Sequence, residues 1–447
     1  MSIVESQFQS VLKPLVHSDS NLVVALSGGL DSMVLLQLSA AFAREQRLKC
    51  CAIHVHHGLS NNADEWAEVC KKVCEQLGVE IITEHVSLDL SHGESVEQLA
   101  RSARYQALEQ HMTPQSLLLT GQHGDDQLET FLLALKRGSG PKGLASMGSI
   151  SPMASGLMVR PLLNLSRQEL EAWAMKAQLQ WVEDESNQDQ RFDRNFIRHS
   201  VTPALKARWP NILQSTVRTA ALCAEQEALL DELLRDKLDS SVNGFGGLLI
   251  EDLTPHTEVY RFRLVRMWLA SHGELMPSQA QIHQLWSSIA CAQPDANPQL
   301  KLARGTVRRF QGALYWIEPF EDVTHWSQSL TLTKTLFLPD GLGELGLQKM
   351  AQANAPCSAR VGILRAPAPG EDYRVVFDPT GLSAHPEARQ HSRKLKKLFQ
   401  EYGVPSWLRR RTPIIMSNEQ VVAVVGLFVD QRFSGQDIEL IWHREIK

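Results

Sequence analysis

Short apolar runs alternate with longer amphipathic segments in the first half of the chain. Leu22 to Leu26 is a continuous apolar run with the length of a strand, whereas the segment after Asp31 repeats apolar residues at helical spacing. Strands spaced by helices in this way are typical of a parallel sheet that is covered on both faces. The pattern therefore predicts an α/β fold with a doubly wound parallel sheet. Its further strands are predicted at Ala52 to Val55, Val79 to Val86, Ser116 to Thr120 and Met158 to Leu163.

Several predicted helices begin at capping signals. A short polar residue followed three positions later by Glu or Gln can satisfy the free amides of a first helical turn. The N-terminal segment carries a different signal, an apolar repeat at helical spacing, and it too is predicted to be a helix. The capping pairs are Asn62 with Glu65, Ser95 with Gln98 and Ser166 with Glu169, and the N-terminal repeat is Val4, Phe8, Val11, Leu12 and Leu15.

The character of the chain changes after about residue 210. Asn211 to about Leu238 is rich in Ala, Leu and Glu and predicts one long helix that leads into a mainly helical domain. The last part, with strands such as Val421 to Val425, predicts a small α+β domain. We therefore expect three domains, over residues 1–210, 211–325 and 326–447.

Composition excludes several classes of protein. The seven cysteines are scattered and form no CxxC pair, which argues against a disulfide framework and a zinc site and favours a reducing cytoplasm. The longest apolar run, Val421 to Val429, is too short to span a membrane. The N-terminal segment has no basic stretch ahead of an apolar run, so no secretory signal is predicted. No membrane or protein partner is implied.

The net charge of −5 conceals one basic island near the C-terminus. A basic face on a mildly acidic protein suggests contact with phosphates, although a solvated charged surface is the simpler alternative. The island contains one acid, Glu401, and the cations Arg389, Arg393, Lys394, Lys396, Lys397, Arg409, Arg410 and Arg411.

The strongest chemical signal is a glycine-rich turn between the first strand and the next helix. Gly28 and Gly29 let the backbone approach phosphate oxygens, and the helix dipole favours an anion at this end. Ser32 can add a hydroxyl donor. The sequence lacks the lysine-containing GxxxxGK[ST] loop that grips the outer phosphates of ATP. The turn, SGGLDS, is formed by Ser27, Gly28, Gly29, Leu30, Asp31 and Ser32.

This turn resembles that of the PP-loop, or N-type ATP pyrophosphatase, family. The resemblance implies that the loop holds the pyrophosphate end of ATP while a substrate oxygen attacks the α-phosphorus, so that pyrophosphate leaves. Asp31 would lie among the phosphates, where a carboxylate is suited to bind Mg²⁺ or a cationic substrate.

Polar motifs follow the second and fourth strands at the same sheet edge. The HVHHGLS segment, which begins at His54, could bind a metal, but no cysteine or paired acid accompanies it, and we favour nucleotide or substrate contacts. In GQHGDDQLET, which includes His123, the two acids Asp126 and Glu129 share a helical face. They could simply suit the helix dipole. In the segment DRNFIR, Arg194 and Arg198 would lie on one face if the segment is helical. Two arginines on one face are suited to bind a carboxylate or a phosphate.

Together with KRGSGPKGL, VRPLL and EDESN, these motifs resemble the tRNA(Ile)-lysidine synthases over most of residues 20–210, and the basic segment continues the match. The resemblance implies ligation of lysine to the wobble cytidine of an isoleucine tRNA with a CAU anticodon, with ATP and Mg²⁺ as cofactors. Rival interpretations are a tRNA thiolase, a small-molecule synthetase and a tRNA-binding protein with a vestigial nucleotide fold. One departure is His56, where many members carry Asp or Asn.

The resemblance also suggests residue roles. Asp126 and Glu129 would bind an ammonium group of lysine, and Arg194 or Arg198 its carboxylate. The helical domain and the C-terminal domain would contact tRNA. The expected catalytic residues are Asp31, Asp126, Glu129 and Arg194; ATP would contact residues 27–32, His54 and His123; Mg²⁺ would bind Asp31; and the substrates would contact Asp126, Glu129, Arg194, Arg198, Lys394, Lys396 and Lys397.

Overall fold

The computed structural model describes the chain except residues 59, 61, 88–95, 294–295, 297, 333, 350–359, 369–370, 388, 390 and 444–447, and only the backbone of 96–98, 186–187 and 360. The chain divides into two compact units, Met1–Glu232 and Leu233–Lys447. Among the described residues, no helix is both long and apolar enough to cross a membrane.

The first unit is built around a six-stranded sheet with the order β3-β2-β1-β4-β6-β5. The first four strands and β6 are parallel, and β5 adds an antiparallel edge. The prediction of a doubly wound parallel sheet is therefore confirmed. The strands are β1 (Asn21–Ala25), β2 (Lys49–His56), β3 (Glu80–His85), β4 (Ser116–Leu119), β5 (Ile150–Pro152) and β6 (Leu157–Val159).

Helices cover both faces of this sheet. Leu22 and Val24 of β1 face one core, while Val23 faces a second core on the other side, as the two-residue period of a strand requires. All three side chains are fully buried, which explains the continuous apolar run. The helices are α1 (Ile3–Leu12), α2 (Leu30–Gln46), α3 (Ala63–Leu77), α4 (Val96–Glu109), α5 (Gly124–Lys136), α6 (Pro141–Leu144) and α7 (Arg167–Lys176).

The local predictions met different outcomes. Ser166 caps α7 with Glu169 in a reciprocal capping box, as predicted. The cap at Asn62 is wrong, because the Asn62 side chain makes no capping hydrogen bond. Residue Ser95 lies outside the described residues. The strand predicted at Met158 to Leu163 corresponds to β6, which ends at Val159, because Pro161 has no amide hydrogen to donate to a neighbouring strand.

A helical run leads out of the sheet domain. It consists of α8 (Asp193–Phe196), a π-helical turn (Ile197–Val201), α9 (Thr202–Arg208) and the long α10 (Ile212–Ser240). The helix predicted from Asn211 to Leu238 is thus present within two residues at either end. The boundary between the two compact units falls inside α10.

The middle of the chain is helical, as predicted, but it also contains a small antiparallel sheet that the sequence interpretation missed. Its β9–β10 hairpin turns at Gln311 and Gly312, which both have positive φ. The helices are α11 (Ile250–Leu253), α12 (Glu258–Ser271), α13 (Gln279–Gln284) and a π-helical turn (Leu285–Ala290); the strands are β7 (Leu248–Leu249), β8 (Gln299–Lys301), β9 (Thr306–Phe310) and β10 (Ala313–Ile317).

The last part is an α+β domain, as predicted. Two antiparallel sheets enclose a shared apolar core, and α14 packs Leu395, Leu398 and Phe399 against one of them. The elements are β11 (Ser327–Leu330), β12 (Leu336–Phe337), β13 (Glu344–Lys349), β14 (Arg360–Leu364), β15 (Tyr373–Val376), β16 (Ser383–Ala384), β17 (Arg393–Lys394), α14 (Leu395–Glu401), β18 (Ile414–Ser417), β19 (Gln420–Val424), β20 (Phe428–Val429) and β21 (Ile438–His443).

Candidate active site

The glycine-rich turn, residues 27–29, connects β1 to α2 and is called the phosphate loop below. Gly29 is the residue that precedes the first turn of α2, so the free amides of that turn open at the loop. Gly28 has a φ of +90°, and a Cβ there would lie 2.9 Å from Cγ2 of Val182. Only glycine satisfies both constraints. The loop therefore has the backbone of an anion-binding turn.

Ser32 organises this loop from within. Its hydroxyl oxygen accepts hydrogen bonds from the amides of Ser27 (3.2 Å) and Gly28 (3.1 Å), and it donates to the carbonyl oxygen of Gly29 (2.9 Å). The expectation that Ser32 offers its hydroxyl hydrogen to a phosphate does not match this arrangement. In this conformation the Ser32 oxygen takes the place on the two amides that an anion could occupy.

Asp31 and His123 meet beside the loop because β1 and β4 are neighbours. A Cβ on Gly121, just after β4, would lie 3.1 Å from the backbone carbon of Asp31, so glycine permits this close approach. Nδ1 of His123 lies 3.2 Å from the amide nitrogen of Asp125, at the start of α5. Its Nε2 lies 3.5 Å from carboxylate oxygens of both Asp31 and Asp126.

The charges of this group are strongly coupled. Burial alone would lower the pKa of His123, but the carboxylates of Asp126 and Asp31 outweigh it and raise the pKa to about 9. Burial alone would raise the pKa of Asp31, but His123 outweighs it and the pKa is lowered below its usual value. A negative charge is thus retained beside a loop that is built for anions.

The surroundings of Asp31 fit a magnesium ion that is shared with phosphates. Its Oδ1 atom is buried, makes no hydrogen bond and faces Nε2 of His123 at 3.5 Å, and Arg167 lies 3.5 Å from Oδ2. No group of three or more His, Cys, Asp or Glu side chains in the described part of the chain could hold a metal alone. Mg²⁺ commonly binds through one or two carboxylates and completes its shell with phosphate and water.

Four charged side chains form what we call the ionic cluster: Asp126, Glu129, Arg194 and Arg198. Arg194 donates from Nε to Glu129 (2.9 Å) and from NH2 to Asp126 (3.3 Å). Arg198 donates from Nε to Glu129 (2.7 Å) and from NH2 to Asp126 (3.1 Å). Each arginine therefore bridges both acids. The helical spacing predicted for the two acids, and for the two arginines, places the acidic pair opposite the basic pair.

The pairing within the cluster differs from the separate binding roles that the sequence suggested for its acids and arginines. The sequence suggested acids free to bind an ammonium and one arginine free to bind a carboxylate, yet the two positive and two negative charges neutralise each other here. The Glu129 side chain is 1% exposed. Burial alone would lower the pKa of Arg198, but Glu129 and Asp126 outweigh it and raise the pKa. A ligand that binds here therefore meets charges that are already paired.

The histidines at the end of β2 and just after it have separate positions. His54 is buried and donates from Nδ1 to the carbonyl oxygen of Leu26 (2.9 Å), directly before the phosphate loop. Burial lowers its pKa, so the ring is neutral. His57 accepts a hydrogen bond from Arg104 at Nε2 (3.3 Å), which leaves a proton on Nδ1 without a hydrogen-bond partner among the described residues. Burial and Arg104 lower the pKa of His57 to about 4.

Some residues around the site carry no sequence motif that we recognised. The amide of Val182 donates to the carbonyl oxygen of Gly28 (3.0 Å), so an apolar residue fixes the phosphate loop. Lys206 forms an ion pair with Asp125 and ties α9 to the first turn of α5. Arg167 reaches Asp31 from the start of α7. Their separation of up to 154 residues from their partners explains why local patterns did not reveal them.

The basic island lies in the second unit and is smaller than its sequence suggests. Glu401 pairs with both Arg389 and Arg393, and Arg411 pairs with Asp340. The exposed cations that have no carboxylate within 4 Å in the described part of the chain are Lys394, Lys396, Lys397 and Arg410.

A phosphate loop without a P-loop lysine, at the carboxyl edge of a doubly wound sheet, defines the class of PP-loop enzymes that use ATP. Three family models match the chain in agreement with this class. They are a PP-loop domain at residues 1–205, a TilS substrate binding domain at 248–315 and a TilS substrate C-terminal domain at 373–444.

Similar proteins narrow the class. The tRNA(Ile)-lysidine synthase of Vibrio atlanticus is 52% identical over 98% of both chains, and that of Photobacterium profundum is 48% identical over 97% of both. The chain belongs to the tRNA(Ile)-lysidine synthase family, whose members are ATP-dependent ligases. Among solved structures, the U34-tRNA thiolase NcsA from Methanococcus maripaludis covers 50% of this chain and 78% of its own, at 18% identity and a TM-score of 0.44.

Proposed function

We propose that this enzyme joins lysine to the wobble cytidine of an isoleucine tRNA with a CAU anticodon, which forms lysidine. The cytidine O2 attacks the α-phosphorus of ATP and pyrophosphate leaves. The ε-amine of lysine then attacks ring carbon C2, and AMP leaves with the oxygen. Family membership supports the reaction class, and the choice of lysine and of this anticodon is the finer part of the proposal.

The observation that carries the proposal is the position of the ionic cluster next to the phosphate loop. His123 lies 3.5 Å from both Asp31, at the loop, and Asp126, in the cluster. An anion site and a site with charges of both signs are therefore one histidine apart. Adenylation followed by attack of an amino acid needs this combination, because the activated base must meet the amine before water does.

Lysine binding is proposed to occur by exchange of ion pairs. The carboxylate of lysine takes one guanidinium from the acids, and an ammonium group of lysine takes the carboxylate that is released. The carboxylate and one ammonium of lysine bring one charge of each sign, so the opposite charges of the cluster stay matched in this exchange. The side chains of Arg194 and Arg198 are 30% and 28% exposed, so exposure does not distinguish them. Each arginine fits the role of binding the carboxylate of lysine.

We propose that Asp31 holds the Mg²⁺ that accompanies ATP. When bound, the ion would neutralise charge on the phosphates and so favour departure of pyrophosphate. The loop amides, once released by Ser32, would receive that pyrophosphate, and His123 would keep the Asp31 carboxylate oriented. Leu30 and Ser27 complete the turn, and His54 supports it through Leu26.

We also place the enzyme in a reducing cytoplasm. The six cysteines of the described residues are free, and Cys70 and Cys74 stay unpaired although they are buried one helical turn apart. Burial raises the pKa of each of these two thiols to about 12, so they are inert core residues.

The reaction is tested by measuring pyrophosphate released from ATP with and without tRNA and lysine. Release that requires the isoleucine tRNA, and modified cytidine that carries labelled lysine, are expected. A thiolase would release pyrophosphate without consuming lysine, and a vestigial binding protein would release none. Methionine tRNA, which shares the anticodon before modification, is the matched substrate control.

The C-terminal domain is proposed to hold the tRNA body, with the acceptor stem as its target. The double variant Lys396→Glu/Lys397→Glu is expected to raise the half-saturating tRNA concentration about tenfold and to reduce the salt dependence of binding by about two phosphate contacts. Both lysines are exposed, while the neighbouring Leu395 and Leu398 form the core of the domain. Filter binding at several salt concentrations measures both quantities.

The matched control for this prediction is Lys71→Glu/Lys72→Glu, the same charge reversal at two exposed neighbours on α3. It should change the salt slope much less. An unaltered slope in the C-terminal variant, or an equal change in the control, would show that α14 is only a solvated charged face.

A further inference from the structure

An open groove of about 560 Å³ lies where α9 ends and α10 begins, and the reaction proposed above does not use it. Its most prominent feature is the indole of Trp209, which is 53% exposed. We call it the Trp209 groove. It is lined by Arg208, Trp209, Pro210, Asn211, Ile212 and Ser215.

Hydrogen bonds fix the backbone of Trp209. The amide of Trp209 donates to the carbonyl oxygen of Leu205 (2.7 Å), and the Trp209 carbonyl oxygen accepts the amide of Ile212 (3.0 Å). Pro210 restricts the residue before it to extended backbone, and Trp209 has φ −131° and ψ 88°. An indole exposed to this degree leaves a flat aromatic face available to a ligand.

The groove combines a flat aromatic surface with polar groups that suit a nucleotide. Asn211 and Ser215 offer an amide and a hydroxyl that can hydrogen bond to the edge of a base. Arg208 is exposed, and no carboxylate of the described residues lies within 4 Å of it, in contrast to Lys206, which pairs with Asp125. The N-terminus of the 29-residue α10 also lies here, and its dipole favours a phosphate, although the amide of Ile212 already donates to Trp209.

One helical run connects the groove to the ionic cluster. The helical run that carries Arg194 and Arg198 continues through α9 to Arg208. From Arg198 to Trp209 the run advances about 16 Å at about 1.5 Å per residue. A few nucleotides of a single-stranded loop span that distance. Proteins commonly recognise the bases of such loops by stacking them on aromatic side chains.

We propose that the Trp209 groove binds a nucleotide of the tRNA anticodon loop that neighbours the modified cytidine, with its base stacked on the indole. Arg208 and the amides of α10 would contact its phosphate, and Asn211 would contact the base edge. This inference rests on the proposed function, because it takes an anticodon loop as the substrate. It adds a second point of contact, so the loop is held on both sides of the reacting base.

Trp209→Ala tests the groove with the isolated anticodon stem-loop and with whole tRNA as probes. The loss of one stacked base should weaken stem-loop binding by about 5- to 150-fold, which is the range of single stacking contacts. Turnover at saturating tRNA and the affinity for ATP should stay as in the wild type, which shows that the domain is folded. Trp209→Phe keeps a ring and should retain most of the affinity. Leu222→Ala, at an exposed position (52%) on α10, is the matched control.

The other outcomes are equally decisive. If Trp209→Ala binds the stem-loop as tightly as the wild type, and the wild type still makes lysidine, the groove is not a nucleotide site. The proposed function would be unaffected by that result. Equal loss of affinity for an acceptor-stem minihelix, which has no anticodon loop, would also overturn it. A change of oligomeric state in Trp209→Ala during sedimentation would assign the indole to contact between copies of this chain. A wild type that makes no lysidine would instead contradict the proposed function.

Discussion

Glu129→Gln is expected to lower kcat/KM for lysine about a hundredfold or more, since the loss of a preorganised charged contact commonly has effects of this size. Glu129 is buried and accepts hydrogen bonds from both Arg194 and Arg198. The substitution keeps the shape but leaves two partly buried guanidiniums with only Asp126. Lysine could then no longer exchange ion pairs without an uncompensated charge. Labelled lysine incorporated into tRNA at varied lysine concentrations measures the effect.

Glutamine is the informative replacement at this position. Alanine would remove the side chain altogether, and breaking a buried ion pair commonly destabilises a protein by about 3–5 kcal/mol, which would confuse folding with catalysis. The affinity for ATP should change much less, because the phosphate loop does not contact Glu129 directly. Glu75→Gln, at an exposed position of α3, is the matched control. If lysine affinity and turnover were both unchanged in Glu129→Gln, the role assigned to the cluster would be wrong.

The sheet of the first unit was predictable because each central strand is buried on both faces. Leu22, Val23 and Val24 are all fully buried, so the apolar run is continuous and easily recognised. The edge strand β5 and the two-residue β7 escaped prediction for the opposite reason. Strand β5 is short, mostly exposed and ends in Pro152, and β7 has only two residues, so neither leaves a periodic signal.

The motifs of the active site were also visible in the sequence, but their pairing was not. Asp126 and Arg198 are 72 residues apart, and only the fold brings their side chains within 3.1 Å. Sequence patterns identify charged residues on one helical face without specifying which charges neutralise each other. The same limit applies to the basic island, where folding pairs Arg389 and Arg393 with Glu401.

Ser32 illustrates a further limit. Its position in the SGGLDS turn suggested a donor that points toward phosphate, yet its oxygen accepts the amides of Ser27 and Gly28. A hydroxyl can both donate and accept, and residue type alone does not decide between these roles. The position of Val182 against Gly28 could not be foreseen at all, because an apolar residue carries no chemical signature.

Asp31→Asn is expected to reduce tRNA-dependent pyrophosphate release by about two to three orders of magnitude, the range typical of a lost electrostatic contact at a reacting group. The buried Oδ1 of Asp31 makes no hydrogen bond, although Nε2 of His123 lies 3.5 Å away, and it is the atom that we propose for Mg²⁺. The pKa of Asp31 lies below its usual value, because His123 outweighs the effect of burial. The carboxylate is therefore ionised at neutral pH, so the substitution removes a full negative charge.

The magnesium dependence separates this role from a purely structural one. If Asp31 binds the ion, Asp31→Asn should raise the half-saturating Mg²⁺ concentration as well as lower the rate, and excess Mg²⁺ should restore part of the activity. If Asp31 only orients His123, the rate should fall at every Mg²⁺ concentration with an unchanged midpoint. Asp19→Asn, at an exposed position before β1, should leave both quantities unaltered. A normal rate with a normal midpoint in Asp31→Asn would remove Asp31 from the mechanism, and the anion-binding amides of the loop would then have to act without a carboxylate beside them.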